Sequence, residues 1–279
     1  MRFCRFATNQ GSRYGVVELL DGMDMITALL PVPKLEMAES GTPERVVVAA
    51  ASEAKKLDEP LPLSKATLLT PLPFCSKIVC VGENYRPHIV EMGHEVPREP
   101  VIFLKPPSAL LAAGGVIQRP KCSERVDHEG ELAVVIGRRC RHLKEGADLS
   151  RYILGYTIVN DVTARDLQKT DGQWARAKGF DTFCPVGPVI ATGALDTVKG
   201  VAIQTVVNGE LRQDGNTKDF LFPLDRLLRH ISQFCTLLPG DIVSTGTPAG
   251  VGPLVHGDVV EIWVEGVGIL RNFVANEAQ

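Results

Sequence analysis

The chain carries no Cys-x-x-Cys pair: its seven cysteines, Cys4, Cys75, Cys80, Cys122, Cys140, Cys184 and Cys235, are odd in number and scattered. That argues against a disulfide framework or a cysteine zinc site and for reduced, mostly buried thiols. No apolar run approaches the ~18 residues of a membrane span, and Met1-Arg2-Phe3-Cys4-Arg5-Phe6 lacks the apolar core of a signal peptide. A soluble, cytoplasmic protein is expected. Neither sign of charge is in excess, the formal net charge being -3, so nothing draws the chain to nucleic acid or to an anionic membrane. Walker A, Gly-x-Gly-x-x-Gly and nucleophile-elbow patterns are missing, which leaves nucleotide-binding and acyl-serine chemistry without support. There is no internal repeat and no low-complexity segment.

What remains is a chain of 279 residues, long enough for one large domain and a small one. Residues 1–70 read as the small unit. Arg2 to Ala7, Tyr14 to Leu20 and Met25 to Leu30 are strand-like around an Asp21-Gly22 turn, and the period of Thr42 to Leu57 predicts a helix. Pro60, Pro62, Pro71 and Pro73 then break regular structure, so residues 71–279 form the second unit.

Chemistry concentrates between Val126 and Asp166. Asp127-His128-Glu129-Gly130-Glu131 runs into the apolar Leu132-Ala133-Val134-Val135-Ile136, a core-strand pattern, and places Glu129 and Glu131 on one face. Two like charges held side by side need a cation or a shared proton. A second apolar run, Ile153 to Asn160, ends in Asp161. Three carboxylates without His or Cys partners favour a hard cation, Mg2+, Mn2+ or Ca2+, over zinc. The competing reading leaves Glu129 in solvent and makes Asp161 the N-cap of a turn over Thr163 to Lys169.

Upstream, Ile78 to Gly82 reads as a buried strand, and Pro87 opens a helical turn that puts His88 and Glu91 on one face. A carboxylate beside an imidazole fixes its tautomer and raises its basicity, as a general base requires; an exposed ion pair is the alternative. Gly82 and Gly93 flank this stretch as a lid would need. Lys105 ends a strand from Val101, where it meets an anion or snorkels to water, and Lys178 either binds a carboxylate or lies on the surface. Further on, Asn208-Gly209 marks a hairpin. Leu224, Leu227, Leu228, Ile231 and Phe234 form one apolar helix stripe, and Gly246 to Gly252 is a glycine-rich loop behind a strand from Ile242.

With these residues laid out, the sequence from Lys77 to Val274 resembles the fumarylacetoacetate hydrolase family. The resemblance rests on Ile78-Val79-Cys80-Val81-Gly82 with Asn84-Tyr85, Phe103-Leu104-Lys105-Pro106, His128-Glu129-Gly130-Glu131-Leu132, Asp161 through Gln168, Lys178-Gly179-Phe180-Asp181, Val207-Asn208-Gly209-Glu210 and Thr245-Gly246-Thr247-Pro248. It is nearest to the branch of acylpyruvases, oxaloacetate decarboxylases and 2-hydroxyhepta-2,4-diene-1,7-dioate isomerases.

The resemblance implies an α+β, β-rich fold, a mixed β-roll or sandwich catalytic domain with a small N-terminal accessory domain, acting as a homodimer. It implies Mg2+ or Mn2+ held by Glu129, Glu131 and Asp161, a catalytic set of His88, Glu91 and Lys178, and substrate contacts from Tyr85, Lys105, Arg165, Gln168 and Thr247. Glu83 departs from the pattern by adding a negative charge near a site expected to take anions. The expected activity is metal-dependent C–C hydrolysis of small anionic 2,4-dioxo acids through an enolate. Isomerisation, tautomerisation or decarboxylation of a related 2-oxo dicarboxylic acid is the alternative, and a non-catalytic metal-binding dimer the rival of another class.

Overall fold

Asp21 and Gly22 both take left-handed backbone conformations, at φ 49° and 78°, and close a hairpin between the strands Gly11–Leu20 and Met23–Leu30. Asn208 and Gly209 do the same at 52° and 83° between Ala202–Val207 and Glu210–Asn216. This is the turn chemistry in which a positive φ at both central residues matches the twist of the strands. A computed structural model describes residues 1–278.

Among the described residues the main sheet has 12 strands. Its path runs Lys55–Pro62, Met23–Leu30, Gly11–Leu20, Arg2–Thr8, Cys184–Ala191, Ile153–Asn160, Gly130–Ile136, Ile242–Ser244, Ile78–Gly82 and Val101–Lys105. Arg2 pairs with Ala191 and Phe3 with Ile190, so the first 70 residues continue the sheet of the remainder. A second sheet of 5 strands, ordered Val116–Arg119, Gly268–Asn276, Val259–Val264, Ala202–Val207, Glu210–Asn216, packs against the strands Gly130–Ile136 and Ile153–Asn160. Every residue of Gly130–Ile136 is buried, as a strand covered on both faces must be. The architecture is the strand-rich α+β fold expected, and parallel pairs such as Ile242–Ser244 on Ile78–Gly82 make the sheet mixed.

The described residues form four α-helices: α1 (Arg86–Met92), α2 (Arg165–Thr170), α3 (Ala175–Gly179) and α4 (Leu224–Phe234). Leu224, Leu227, Leu228 and Ile231 of α4 are buried as expected, but Phe234 is 57% exposed at the helix end and lies outside the stripe.

The helix expected over Thr42 to Leu57 does not form. Pro43–Val47 is a strand paired with Lys34–Met37, and Val46 N–H donates to Gly137 O at 2.8 Å. Only a short 3-10 turn, Ala51–Glu53, precedes the strand Lys55–Pro62. The run Val46-Val47-Val48 is β-branched, and sheet edges are within reach of it, so tertiary pairing overrides a weak helical period.

Candidate metal centre and active site

Glu129 occupies the break between the strands Val126–His128 and Gly130–Ile136. Its N–H donates to Asn160 Oδ1 at 3.0 Å, and its carbonyl accepts from Asp161 N–H at 2.8 Å. Antiparallel pairing of Gly130 with Asn160 and Glu131 with Val159 therefore carries Asp161 to the side of Glu129. One carboxylate oxygen from each of Glu129, Glu131 and Asp161 lies within 4.8 Å of the others, and the three residues are 5%, 2% and 1% exposed. The solvated reading of Glu129 fails on that burial. The capping reading of Asp161 fails too, because α2 begins at Arg165 with Ala164 before it.

Each carboxylate is held from behind. Lys178 Nζ bridges Glu129 Oε2 at 2.8 Å and Asp161 Oδ2 at 2.7 Å. Arg165 donates to Glu129 Oε1 at 2.6 Å, Asp127 Oδ2 at 2.9 Å and Gln168 Oε1 at 2.7 Å. Glu131 has no such cation; Ser244 Oγ donates to its Oε2 at 2.5 Å and Gly246 N–H at 2.9 Å. Asp127 is also held by Arg125, at 2.9 and 3.1 Å, and Asp161 by Lys105 at 2.6 Å, so three of the four buried carboxylates here (Asp127, Glu129, Glu131, Asp161) meet a cation directly. Glu131 is the one unmatched.

The electrostatics follow. Burial, together with Asp161 and Glu129, pushes the Glu131 carboxyl well above its ordinary range. Burial would also raise Glu129, but Lys178 and Arg165 outweigh it and hold that carboxyl low. An all-oxygen donor set in which Glu131 has no directly bonded cation fits a hard divalent cation, which Glu129, Glu131 and Asp161 could hold.

A cavity of about 320 Å3 opens over this cluster. His88, Lys178, Arg165, Gln168 and Thr247 line it, as do Phe103, Trp174 and Glu83. His88 comes from α1, whose first turn holds Pro87, and its Nδ1 lies 2.9 Å from Glu91 Oε2. His88 is 7% exposed while Glu91 is exposed, so the pair runs from the cavity wall out to solvent. Glu91 itself leaves the cavity wall and turns its second oxygen to Gly250 N–H at 3.0 Å. Lys178, 2% exposed, is no surface lysine either, and its ammonium lies 4.9 Å from the centre of the Phe103 ring. Trp174 stands edge-on to Phe103 at 5.2 Å, and a Cβ at Gly82 would come within 3.0 Å of its indole.

Two expected substrate contacts are otherwise employed. Lys105 is 1% exposed, and its ammonium donates to Asp161 Oδ1 at 2.6 Å and Val162 O at 3.0 Å, so the anion it meets is the Asp161 carboxylate, and Lys105 forms no part of the cavity wall. Tyr85 is fully buried at the start of α1, packed edge-on against Phe220 at 4.9 Å, and forms no part of the cavity wall. Its place in a short polar segment gave no sign that the chain would bury it. Glu83, in a left-handed conformation at φ 55°, lines the mouth and pairs with His94 Nδ1 at 2.5 Å.

Ser244, Gln213, Asp127 and Trp174 are site residues that sequence reasoning did not single out. Ser244 had a signal, since it opens the polar run Ser244-Thr245-Gly246-Thr247 straight after an apolar strand. Gln213 had none: a glutamine in a hairpin strand reads as solvent-facing, yet it is wholly buried.

Comparison with known proteins agrees with this geometry. The family profile described as Fumarylacetoacetate (FAA) hydrolase C-terminal matches residues 77–275, and one described as Rv2993c-like, N-terminal matches residues 1–71. An uncharacterised protein of Methanocaldococcus jannaschii is 53% identical over 202 residues, 72% of this chain and 84% of its own. A mitochondrial oxaloacetate tautomerase of Bos taurus is 40% identical over 274 residues, 95% of this chain and 85% of its own. The crystal structure of a 5-carboxymethyl-2-hydroxymuconate delta-isomerase from Mycobacterium smegmatis, 40% identical, superposes with a TM-score of 0.81 over 99% of this chain and 100% of that one. The profile spans most of the chain and the carboxylate cluster falls within it, so the protein belongs to the fumarylacetoacetate hydrolase family of enzymes.

Proposed function

We propose that the protein interconverts the keto and enol forms, or shifts the double bond, of a short 2-oxo acid with the help of Mg2+ or Mn2+ at Glu129, Glu131 and Asp161. The observation that carries the reading is the buried three-carboxylate cluster facing the same cavity as His88. The names of two relatives, an oxaloacetate tautomerase and a hydroxymuconate isomerase, support proton transfer beside a keto group ahead of C–C cleavage. When bound, the cation supplies Lewis-acid polarisation of the 2-keto oxygen.

The chain's own residues do the rest. Glu91 accepts from His88 Nδ1–H, which leaves Nε2 as the basic nitrogen. That nitrogen takes a proton from the carbon beside the keto group, and the imidazolium returns a proton to oxygen; the reverse order converts enol to keto. Lys178 and Arg165 offset the charge of Glu129 and Asp161, so the cluster can accept an anionic substrate. Phe103 and Trp174 wall the cavity with apolar surface that limits water around the reacting carbon.

Hydrolysis of a 2,4-dioxo acid is the second reading, favoured by the same carboxylate-oriented imidazole, which suits activation of water. Oligomeric state belongs to the proposal as well: a homodimer, read by molar mass in solution.

The test is a panel of oxaloacetate, a 2-hydroxymuconate-type diene and acetylpyruvate, offered to metal-stripped protein with and without Mg2+ or Mn2+. Metal-dependent loss of enol absorbance with oxaloacetate or the diene, abolished in Asp161→Ala while circular dichroism shows the fold intact, is the expected result. Cleavage of acetylpyruvate alone would instead establish the hydrolase, and no metal-dependent turnover of any of the three would overturn an enzymatic role in 2-oxo acid chemistry.

A further inference from the structure

Gln213 lies on the strand Glu210–Asn216 of the second sheet, across the core from the ligand strand, and is wholly buried. Every hydrogen-bonding position of its amide is used. Oε1 accepts from Gly130 N–H at 2.9 Å, Thr205 Oγ1 at 2.8 Å and His128 Nδ1 at 3.3 Å. Nε2 donates to Thr247 Oγ1 at 2.7 Å and Pro248 O at 2.8 Å. The amide cannot be turned over, because a backbone N–H only donates and a backbone carbonyl only accepts.

The partners of this amide are the site itself. Gly130 is the residue between Glu129 and Glu131, and a Cβ there would lie 2.3 Å from Thr205 Oγ1. Its N–H is held by Gln213, and its carbonyl accepts from Thr247 Oγ1 at 3.0 Å. Thr247 is in turn held by Gln213 and lines the cavity. One side chain thus clamps both sides of the residue that spaces two carboxylate ligands. It also sets the polarity of Thr247: with its proton given to Gly130 O, that hydroxyl faces the cavity only as an acceptor.

We infer that Gln213 is a positioning residue of the active site, holding the spacing of Glu129 and Glu131 and presenting Thr247 as an acceptor toward bound substrate. The inference rests on the reading of Glu129, Glu131 and Asp161 as the metal centre. Outer-shell partners of this kind are worth about 10–100-fold in metal affinity or activity.

The test measures Mn2+ binding to metal-stripped protein by electron paramagnetic resonance, beside kcat and KM, in Gln213→Met, Thr247→Val, Thr247→Ser and the double variant Gln213→Met/Thr247→Val. Gln213→Met is expected to weaken Mn2+ binding about 10-fold and to lower kcat more than it changes KM. Thr247→Ser, which keeps the hydroxyl, is expected to lose less Mn2+ affinity and less kcat than Thr247→Val. The double variant falls well short of the product of the single effects, because the two residues act as a unit. Should Gln213→Met not fold, Gln213→Glu, which keeps the length and the acceptor oxygens but loses the donor, replaces it in the cycle. Unchanged Mn2+ affinity and kcat in a folded variant, or strictly multiplicative effects, would overturn the inference. Wild-type protein that binds no Mn2+ would instead sink the metal-centre reading beneath it.

Discussion

The carboxylate of Glu91 accepts a 3.0 Å hydrogen bond from the backbone N–H of Gly250, 159 residues further along the chain. Its other oxygen holds His88 Nδ1. Gly250 sits at φ 98°, and a Cβ there would fall 2.0 Å from Arg212 O, so only glycine brings that N–H to the helix. The glycine-rich loop therefore serves as the seat against which α1 orients its imidazole.

From this contact, Glu91→Ala should lower kcat by about 10²–10³-fold, within the usual worth of an oriented general base. His88→Ala should lower it at least as far. Neither residue is a metal ligand, so Mn2+ binding measured on the same preparations should stay within about two-fold of wild type. A Glu91→Ala enzyme with full kcat would show that His88 is oriented by something else.

Lys105 and Asp161 form an ion pair whose side chains are 0% and 1% exposed. Without Lys105, Asp161 keeps only Lys178, which it shares with Glu129, so one more buried negative charge goes unmatched, at a cost of about 3–5 kcal/mol. Lys105→Met should therefore lower the stability of metal-stripped protein in urea unfolding by that order, with KM for substrate nearly unchanged. A large rise in KM at undiminished stability would return Lys105 to the role of substrate contact.

Glu83 places a carboxylate at the cavity mouth, 18% exposed and paired with His94. It repels a second negative charge on the substrate more than a first, and salt weakens that repulsion. Glu83→Gln should raise kcat/KM for dianionic oxaloacetate several-fold more than for monoanionic acetylpyruvate or pyruvate enolisation, with the gap narrowing as ionic strength rises. Equal effects on both charge classes would mean that the carboxylate is silent toward substrate.

Burial pushes the Cys4 and Cys184 thiols up to about 12, and burial assisted by Asp241 does the same to Cys75. The thiolate is the reactive form, so a raised pKa removes reactivity at pH 8 as surely as inaccessibility does. Cys122 is the exposed cysteine among the described residues. Native protein should label fastest at Cys122 at pH 8, a phase lost in Cys122→Ser, with partly buried Cys235 slower and the full seven only in denaturant. Rapid labelling of Cys4 or Cys184, located by mass spectrometry, would contradict the closed core.

How much was legible varied with the kind of signal. The hairpin at Asn208-Gly209, the buried strand after Glu131 and the apolar stripe of Leu224 to Ile231 could all be read directly, because turn chemistry and periodicity are local. The strand Pro43–Val47 could not: its partner Lys34–Met37 lies just upstream but carries no strong turn signal of the Asn-Gly or Asp-Gly kind after it, and the carbonyl of Gly137 that holds Val46 comes from far along the chain. His88 and Glu91 were legible for the same reason as the hairpin: a three-residue spacing on one helical turn fixes their contact.

The amino-acid sequence alone determined the ingredients: Glu129 and Glu131 on either side of Gly130, Asp161 just past the end of the next core strand, and a glycine at position 250, where a Cβ would meet Arg212 O. Tertiary structure alone decided which cation stands behind which carboxylate. Lys105 and Lys178 both end on Asp161, Arg165 ends on Glu129, and Glu131 is left with only Ser244 and Gly246 for partners. The reason is physical: strand periodicity sets the face on which a side chain emerges, whereas the burial and charge around it come from strands up to 115 residues away that the sheet order brings alongside.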